Sequence, residues 1–311
     1  MVYLVITLVF TAVLLGCLAG PALGRLRRPA AHPGIAIACW FAALAGTFIA
    51  DIGIIAVALL SPPAPGHGLL EWLRDCLPHH GDEAIIMAAA ASLVLLTACC
   101  SRLARSLPRL RRALRHRRRH WEMLRLVAKE HGRHDDVLVL DHPVPVAYSL
   151  SARERAIVVS TGTQETLTPE EFGAVLAHER THLRQRHHTM LLVLDLAYAL
   201  LPWLPTVRRA KKTLPLLLEM AADDAAAQAC GRRTLVDALC RLAATPGVAG
   251  ALGAAGPSTG ALTERLLRLE HAEAVKPCRA VRAAASAFVA IAVATPLLVA
   301  AATIVQLSEI C

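Results

Sequence analysis

The chain has 311 residues, 55% of them hydrophobic and only 4% aromatic, with a mean hydropathy of +0.48. These values exclude an ordinary soluble domain and predict a membrane protein carrying a polar insert. The net charge of +9 is concentrated in one place: nine arginines and no acid lie between Arg102 and Arg119. That run has no interleaved aromatic residue and directly follows an apolar segment. It therefore reads as a positive-inside anchor, and no direct nucleic-acid partner is expected.

In chain order, Val2 to Leu23 is the first apolar run, and Arg25, Arg27 and Arg28 follow it. Charges after the run predict a membrane span with its N-terminus outside, in preference to a signal peptide. Ile35 to Leu60 returns outward and carries Asp51. An acid is costly in lipid and so is a functional candidate; the plain alternative is a place at the outer interface or a bond within the bundle. Ser61 to Glu83 is rich in Pro, Gly and His and has one Arg against four acids, which suits the outer face. His67, His79 and His80 in it lack ligand spacing and read as solvated. Ala84 to Leu103 is a third span, and Ala283 to Val305 a fourth.

The expected organisation is three N-terminal spans in residues 1–104, a cytoplasmic domain in 105–282, and a last span with a short outer tail in 283–311. Cys76 and Cys311 then share the outer side and could pair; the nine cysteines otherwise show no C-x-x-C and no disulfide framework. Within the insert, Trp121 to Glu130 reads as an amphipathic helix, and Val137 to Leu140 and Ala156 to Ser160 as short strands separated by the Pro143/Pro145 turn signal. An edge strand ahead of a metal-binding helix can pair with an extended substrate, and Ala156 to Ser160 holds that place.

Thr168 to His188, TPEEFGAVLAHERTHLRQRHH, is the stretch with chemistry. Thr168 as N-cap, Pro169 in the first position and Glu171 three residues on predict a capped helix start. His178 and His182 then lie one turn apart on one face and can reach one zinc ion, with Glu179 placed as general base. Arg184, Arg186, His187 and His188 read as a basic helix end. His188 stands ten residues after His178, where metzincins place a third ligand, but Gln185 replaces the turn-forming Gly. The segment reads as helical through His188, which would point that side chain away.

Met190 to Leu204 is apolar but only about fifteen residues long, short for a span. It is expected to form a buried or membrane-embedded hairpin. Downstream, LEMAADDAAAQAC places Glu219 and Asp223 at i and i+4 on a helix that Gly231 terminates. Glu219 suits the third protein ligand of a His₂ zinc site, and Asp223 can accept the N–H of a ligand histidine and fix its tautomer. Ala249 to Gly260 reads as a linker. Arg265 and His271 are both candidates for stabilising an oxyanion.

With these residues in place, the chain resembles the BlaR/MecR-type membrane zinc metallopeptidases, the antirepressor family of bacterial β-lactam response systems. The likeness rests on the span order, H-E-x-x-H in LAHERTHLRQRHH, the Leu201-Pro202-Trp203-Leu204-Pro205 element, the E-x-x-x-D of Glu219 and Asp223, and the final span. It implies a mainly α membrane protein with four transmembrane helices and a cytoplasmic α+β gluzincin-like domain. It further implies Zn²⁺ held by His178, His182 and Glu219, with Glu179 as base, a bacterial cell-membrane location and a protein substrate such as a transcriptional repressor. The β-lactam receptors of that family carry a penicillin-binding sensor after the last span. No S-x-x-K motif is placed for that here, so a sensor-less member is expected. Two alternatives are a quality-control protease of the HtpX/Ste24 kind and a non-catalytic zinc-binding transducer. The first usually carries a late His-Pro element where this chain has Ser258-Thr259-Gly260, and the second has no need of Glu179.

Overall fold

A computed structural model of the chain describes residues 2–25, 32–60, 82–151, 155–244, 259–271 and 278–310. Arg27, Arg28, the loop through residue 81 with His67, His79 and His80, Cys76, Cys311 and most of the Ala249 to Gly260 stretch fall outside the described residues.

The chain begins with α1 (Val2–Val13), which passes through a π-helical segment (Leu14–Ala19) into α2 (Gly20–Arg25). α3 (Pro33–Leu60) and α4 (Asp82–Val127) follow. A small sheet holds β1 (Lys129–His131), β2 (His134–Leu140), β3 (Ala147–Ser151) and β4 (Arg155–Ser160). Helices α5 (Thr161–Thr166), α6 (Pro169–Arg184), α7 (His187–Leu200), α8 (Pro205–Cys230), α9 (Arg232–Ala244), α10 (Thr259–His271) and α11 (Arg279–Ile310) complete the order.

Among the described residues three helices are long and apolar enough to cross a membrane: Ile6–Arg25, Pro33–Ile54 and Arg279–Ala302. The expected span Ala84 to Leu103 forms the first part of α4, which continues as one helix through the arginine run to Val127. The expected amphipathic helix thus ends earlier than Glu130, because Lys129–His131 pairs with β2 as a strand. Trp121 and Leu124 are still its buried face.

Small residues set the helix spacing in the bundle. A Cβ on Gly46 of α3 would stand 2.1 Å from the Ala292 carbonyl oxygen of α11, so only glycine permits this approach. The π-helical segment is held open by a second element. Thr206 of α8 donates its hydroxyl to the Leu15 carbonyl (2.7 Å) and accepts from the Gly20 N–H (2.8 Å). A side chain inserted into the i→i−4 ladder satisfies the backbone groups that the local widening frees. Gly20 is required here too, since a Cβ would lie 2.5 Å from Thr206 Cα.

The same α8 is shared with the insert. Ile37, Trp40 and Leu44 of α3 form one apolar core with Leu194 and Ala197 of α7 and with Val207, Ala210, Leu214, Leu217, Leu218, Met220 and Ala221 of α8. Met190 to Leu204 is a helix and a turn, not a hairpin by itself: α7 runs to Leu200, and Leu201–Leu204 lead back into α8. The inner face of this stretch is buried, while Val193, Leu196, Tyr198 and Trp203 are exposed. Arg102 of α4 sits 5.2 Å from the centre of the Trp203 ring, tying α4 to the turn.

The sheet order is β1-β2-β4-β3, with β2 and β4 parallel and both outer pairs antiparallel. Val137, Ile157 and Val159 face Leu176 and Leu183 of α6. Ala156 to Ser160 is thus an interior strand, contrary to the expected edge position. Its residues are buried throughout, as the unbroken apolar run of a strand covered on both faces should be. The edge beside α6 is β3, whose shorter AYSLS pattern alternates.

Candidate metal centre

Helix α6 starts as its sequence dictates. Thr168 caps it, the Glu171 N–H donating to the Thr168 hydroxyl (3.3 Å) and the Thr168 N–H to the Glu171 carboxylate (2.9 Å), with Pro169 in the first turn. Glu171 is itself held by Arg241 of α9 at 2.9 Å. This fixes the helix, and its inner face presents His178 and His182, 7% and 9% exposed, toward α8.

The two imidazoles turn their Nε2 atoms to one point, 3.1 Å apart. From α8, Glu219 brings Oε2 to 3.5 Å of His178 Nε2 and Oε1 to 3.6 Å of His182 Nε2. A tetrahedral zinc site holds N and O ligands at about 2.0–2.1 Å, which sets its ligand atoms roughly 3.3 Å from one another. The three separations bracket that value, so this donor set fits a zinc ion. Among the described residues it is the one such cluster of three.

Behind the ligand atoms each ring has a partner. His178 Nδ1 lies 3.1 Å from Asp223 Oδ1, somewhat off the line of an ideal hydrogen bond. Asp223, fully buried, is gripped by Arg265 of α10, whose Nε and one terminal nitrogen donate to the two carboxylate oxygens at 2.8 and 2.7 Å. The other terminal nitrogen is 3.1 Å from Glu219 Oε2. Arg268, one turn away, bonds Asp224 at 2.7 Å, so α10 clamps α8 at two points. Arg265 is therefore a positioning group for Glu219 and Asp223. His271, the other oxyanion candidate, is exposed and bonded to the Leu267 carbonyl within its own helix.

His182 has an unexpected partner. The segment does not stay helical through His188: α6 ends at Arg184, Arg186 takes a left-handed conformation (φ 55°), and α7 starts at His187. The break folds His187 under the site, where it is 1% exposed and its Nδ1 is 2.8 Å from His182 Nδ1. If His182 offers Nε2 to a metal, its proton resides on Nδ1 and is donated to His187 Nδ1. His187 then carries its own proton on Nε2 and donates it to Gln185 Oε1, 3.0 Å away. Reading His187 as part of a basic helix end missed this. His188, half-buried, does not join the ligands; its Nε2 is 3.2 Å from the Ser149 hydroxyl of β3.

Electrostatics follow from burial and these pairings. Burial alone would lower His178, but the adjacent carboxylates of Asp223 and Glu219 outweigh it and push it up to about 10. Burial lowers His182 to about 3 and His187 to about 4, both neutral at pH 7. Burial would raise Glu219, yet His178 and Arg265 hold it down to about 2. Asp223 is likewise held far below the usual carboxylate range against its burial, by Arg265 and His178. Glu179 moves the other way. Burial and the nearby Glu219 raise it, against the pull of His178 and of hydrogen bonds from the Ser149 side chain and backbone.

The site thus has the features of a metallopeptidase: two histidines one turn apart, a glutamate between them, and a third donor from a second helix. Residues 113–213 match the family model described as Peptidase family M48. The matched stretch is about a third of the chain, runs from within α4 to within α8, includes His178, Glu179 and His182, and ends before Glu219. No solved structure matches the chain.

Proposed function

We propose that this protein is a multi-pass membrane zinc endopeptidase that cleaves an extended segment of a protein substrate laid along β3. The observation that carries the reading is the convergence of His178, His182 and Glu219 beside Glu179, with the open strand β3 at the same place. Zinc in that donor set would polarise the scissile carbonyl and acidify a water molecule. Glu179, its basicity raised by burial, takes the proton of the attacking water on a carboxylate oxygen and returns it to the leaving amine. β3 pairs with the substrate backbone as an added strand, which fixes the peptide's direction and register. Arg265 and Asp223 hold Glu219 and His178 in place, and His187 holds His182.

In this reading the chain spans a bacterial cell membrane four times, with residues 105–282 on the cytoplasmic side, where the arginine run of α4 favours them. The substrate is a cytoplasmic regulatory protein such as a transcriptional repressor, in line with the resemblance to the BlaR/MecR type. The M48 match is equally in keeping with a membrane quality-control protease. New protein N-termini in cells expressing wild type or Glu179→Gln distinguish these readings. Termini in a repressor that depend on Glu179 support the first, termini in membrane proteins the second, and identical profiles refute proteolysis.

A further inference from the structure

Where α2 ends against the first turns of α8, the two helices border an open surface pocket of about 340 Å³ lined by Pro21, Gly24, Arg25, Arg209, Lys212 and Thr213. Three cations and a hydroxyl converge on it, and no carboxylate lines it. Some basic residues of the insert are paired: Arg180 with Asp136, Lys211 with Asp195, Arg265 with Asp223, Arg268 with Asp224. Arg25, Arg209 and Lys212 have no ion-pair partner among the described residues. No acid precedes Asp51 and none lies between Asp195 and Glu219, so neither α2 nor the first turns of α8 carry one. Neighbouring like charges repel, and an anion held between them relieves that repulsion.

We propose that this cavity binds the phosphate of an anionic phospholipid headgroup. The depth fits. Ile6–Arg25 has 20 residues, and at a rise of about 1.5 Å each it covers roughly the 30 Å hydrocarbon core. A span ending at Arg25 therefore brings the cavity to headgroup level. The proposal rests on that segment crossing the bilayer and not on the peptidase reading. Arg25 and Arg209 offer forked donors matched to phosphate oxygens, Lys212 a point charge and Thr213 a hydroxyl. Gly24 leaves the Arg209 stem free to lie across α2, a Cβ there being 4.0 Å from Arg209 Cδ. Charges placed only to orient a span would need no cavity, and would be exchangeable with the arginines of α4.

The bound headgroup has a consequence for the site. It bridges α2 to α8 one to two turns beyond the Thr206–Gly20 joint, and α8 carries Glu219 six residues after Thr213. Anionic lipid thus tightens the joint through which the first span holds the ligand-bearing helix.

The test uses the full-length protein in nanodiscs of phosphatidylcholine, with or without phosphatidylglycerol. Thermal midpoints are measured together with lipid retained on delipidation, counted by native mass spectrometry. Wild type should gain several degrees with phosphatidylglycerol and retain it at least about tenfold over phosphatidylcholine, a difference that corresponds to 1.4 kcal/mol. Arg25→Gln/Arg209→Gln/Lys212→Gln should lose both effects, while the charge-matched control Arg111→Gln/Arg112→Gln/Arg115→Gln on α4 should keep them. Should the triple variant not fold, Arg25→Lys/Arg209→Lys retains the charge and should still cut retention by removing the forked donors. Equal responses of cavity variant and control, or no lipid effect in wild type, overturn the proposal. So does an equal midpoint gain from glycerol 3-phosphate in phosphatidylcholine discs, which would assign the cavity to a soluble phosphate. Zinc content of each sample reports the metal site separately, so failure of one reading is not mistaken for failure of the other.

Discussion

Arg265→Leu is the perturbation with the largest expected effect outside the ligands themselves. Arg265 is 4% exposed and places two donors on Asp223 and a third nitrogen beside Glu219. Leucine fills much of the volume but leaves Asp223 buried, charged and without its bidentate partner. Removing one member of a buried pair costs about 3–5 kcal/mol, because the other charge remains uncompensated. At ~2–4 °C per kcal/mol for a unit of 150–250 residues, the midpoint falls by roughly 6–20 °C. The assay is thermal unfolding of zinc-free full-length protein, so that metal binding does not enter the balance. Asp223→Asn and the double variant close a cycle in which the double costs less than the sum by about 1–3 kcal/mol. An Arg265→Leu cost below about 1 kcal/mol, or strict additivity, would refute the claim that this pair secures α10 on α8.

Three further outcomes are expected. His187→Leu deprives the His182 proton of its acceptor and lowers zinc affinity about 10–100-fold in competition with a chromophoric chelator, while His187→Gln, which keeps an acceptor, restores part of it. An unchanged affinity in the leucine variant would remove His187 from the site. Gly20→Ala forces a Cβ onto Thr206 Cα and destabilises the folded chain by about 1–3 kcal/mol in detergent unfolding, whereas Gly34→Ala, which meets nothing within 4 Å, does not. Asp136, held below the usual carboxylate range mainly by its hydrogen bond from Arg180, gives the pH dependence. A lowered folded-state value means stability that is present above the ordinary value of 3.8 and lost as pH falls through the folded one. The pair is about 40% exposed, so solvent screening limits it to ~0–1 kcal/mol. Asp136→Asn should cost that much at pH 7 and nothing in strong acid, and a gap that widened on acidification would contradict the assignment.

Much of the site was legible because its signals are local. Thr168, Pro169 and Glu171 announce a helix start through the hydrogen bonds they make within four residues, and the capping box is there. Glu219 and Asp223 share a face by spacing alone, and Gly231 does end α8. The legibility stops where a distant contact decides. Nothing between Arg184 and His187 is a Gly or a Pro, so the break at Arg186 was invisible. A left-handed arginine costs roughly 1–2 kcal/mol, offset here by burying His187 against His182. The π-helical segment between α1 and α2 depends on Thr206, 191 residues away from Leu15. The sheet order placed Ala156 to Ser160 inside and β3 outside, because strand sequence reports burial, not which neighbour supplies it. Arg265 was visible as a charge beside the site, but only the packing of α10 on α8 shows that it grips Asp223.

In the proposed site His178, His182 and Glu219 together hold one zinc ion, and Glu179 does not. The direct measurement is elemental analysis of purified full-length wild type beside His178→Ala, Glu219→Ala and Glu179→Gln, each verified as folded. About one zinc per chain is expected in wild type and in Glu179→Gln, and a small fraction of that in the two ligand variants. Stoichiometric zinc in His178→Ala or Glu219→Ala, or its loss in Glu179→Gln alone, would contradict this assignment.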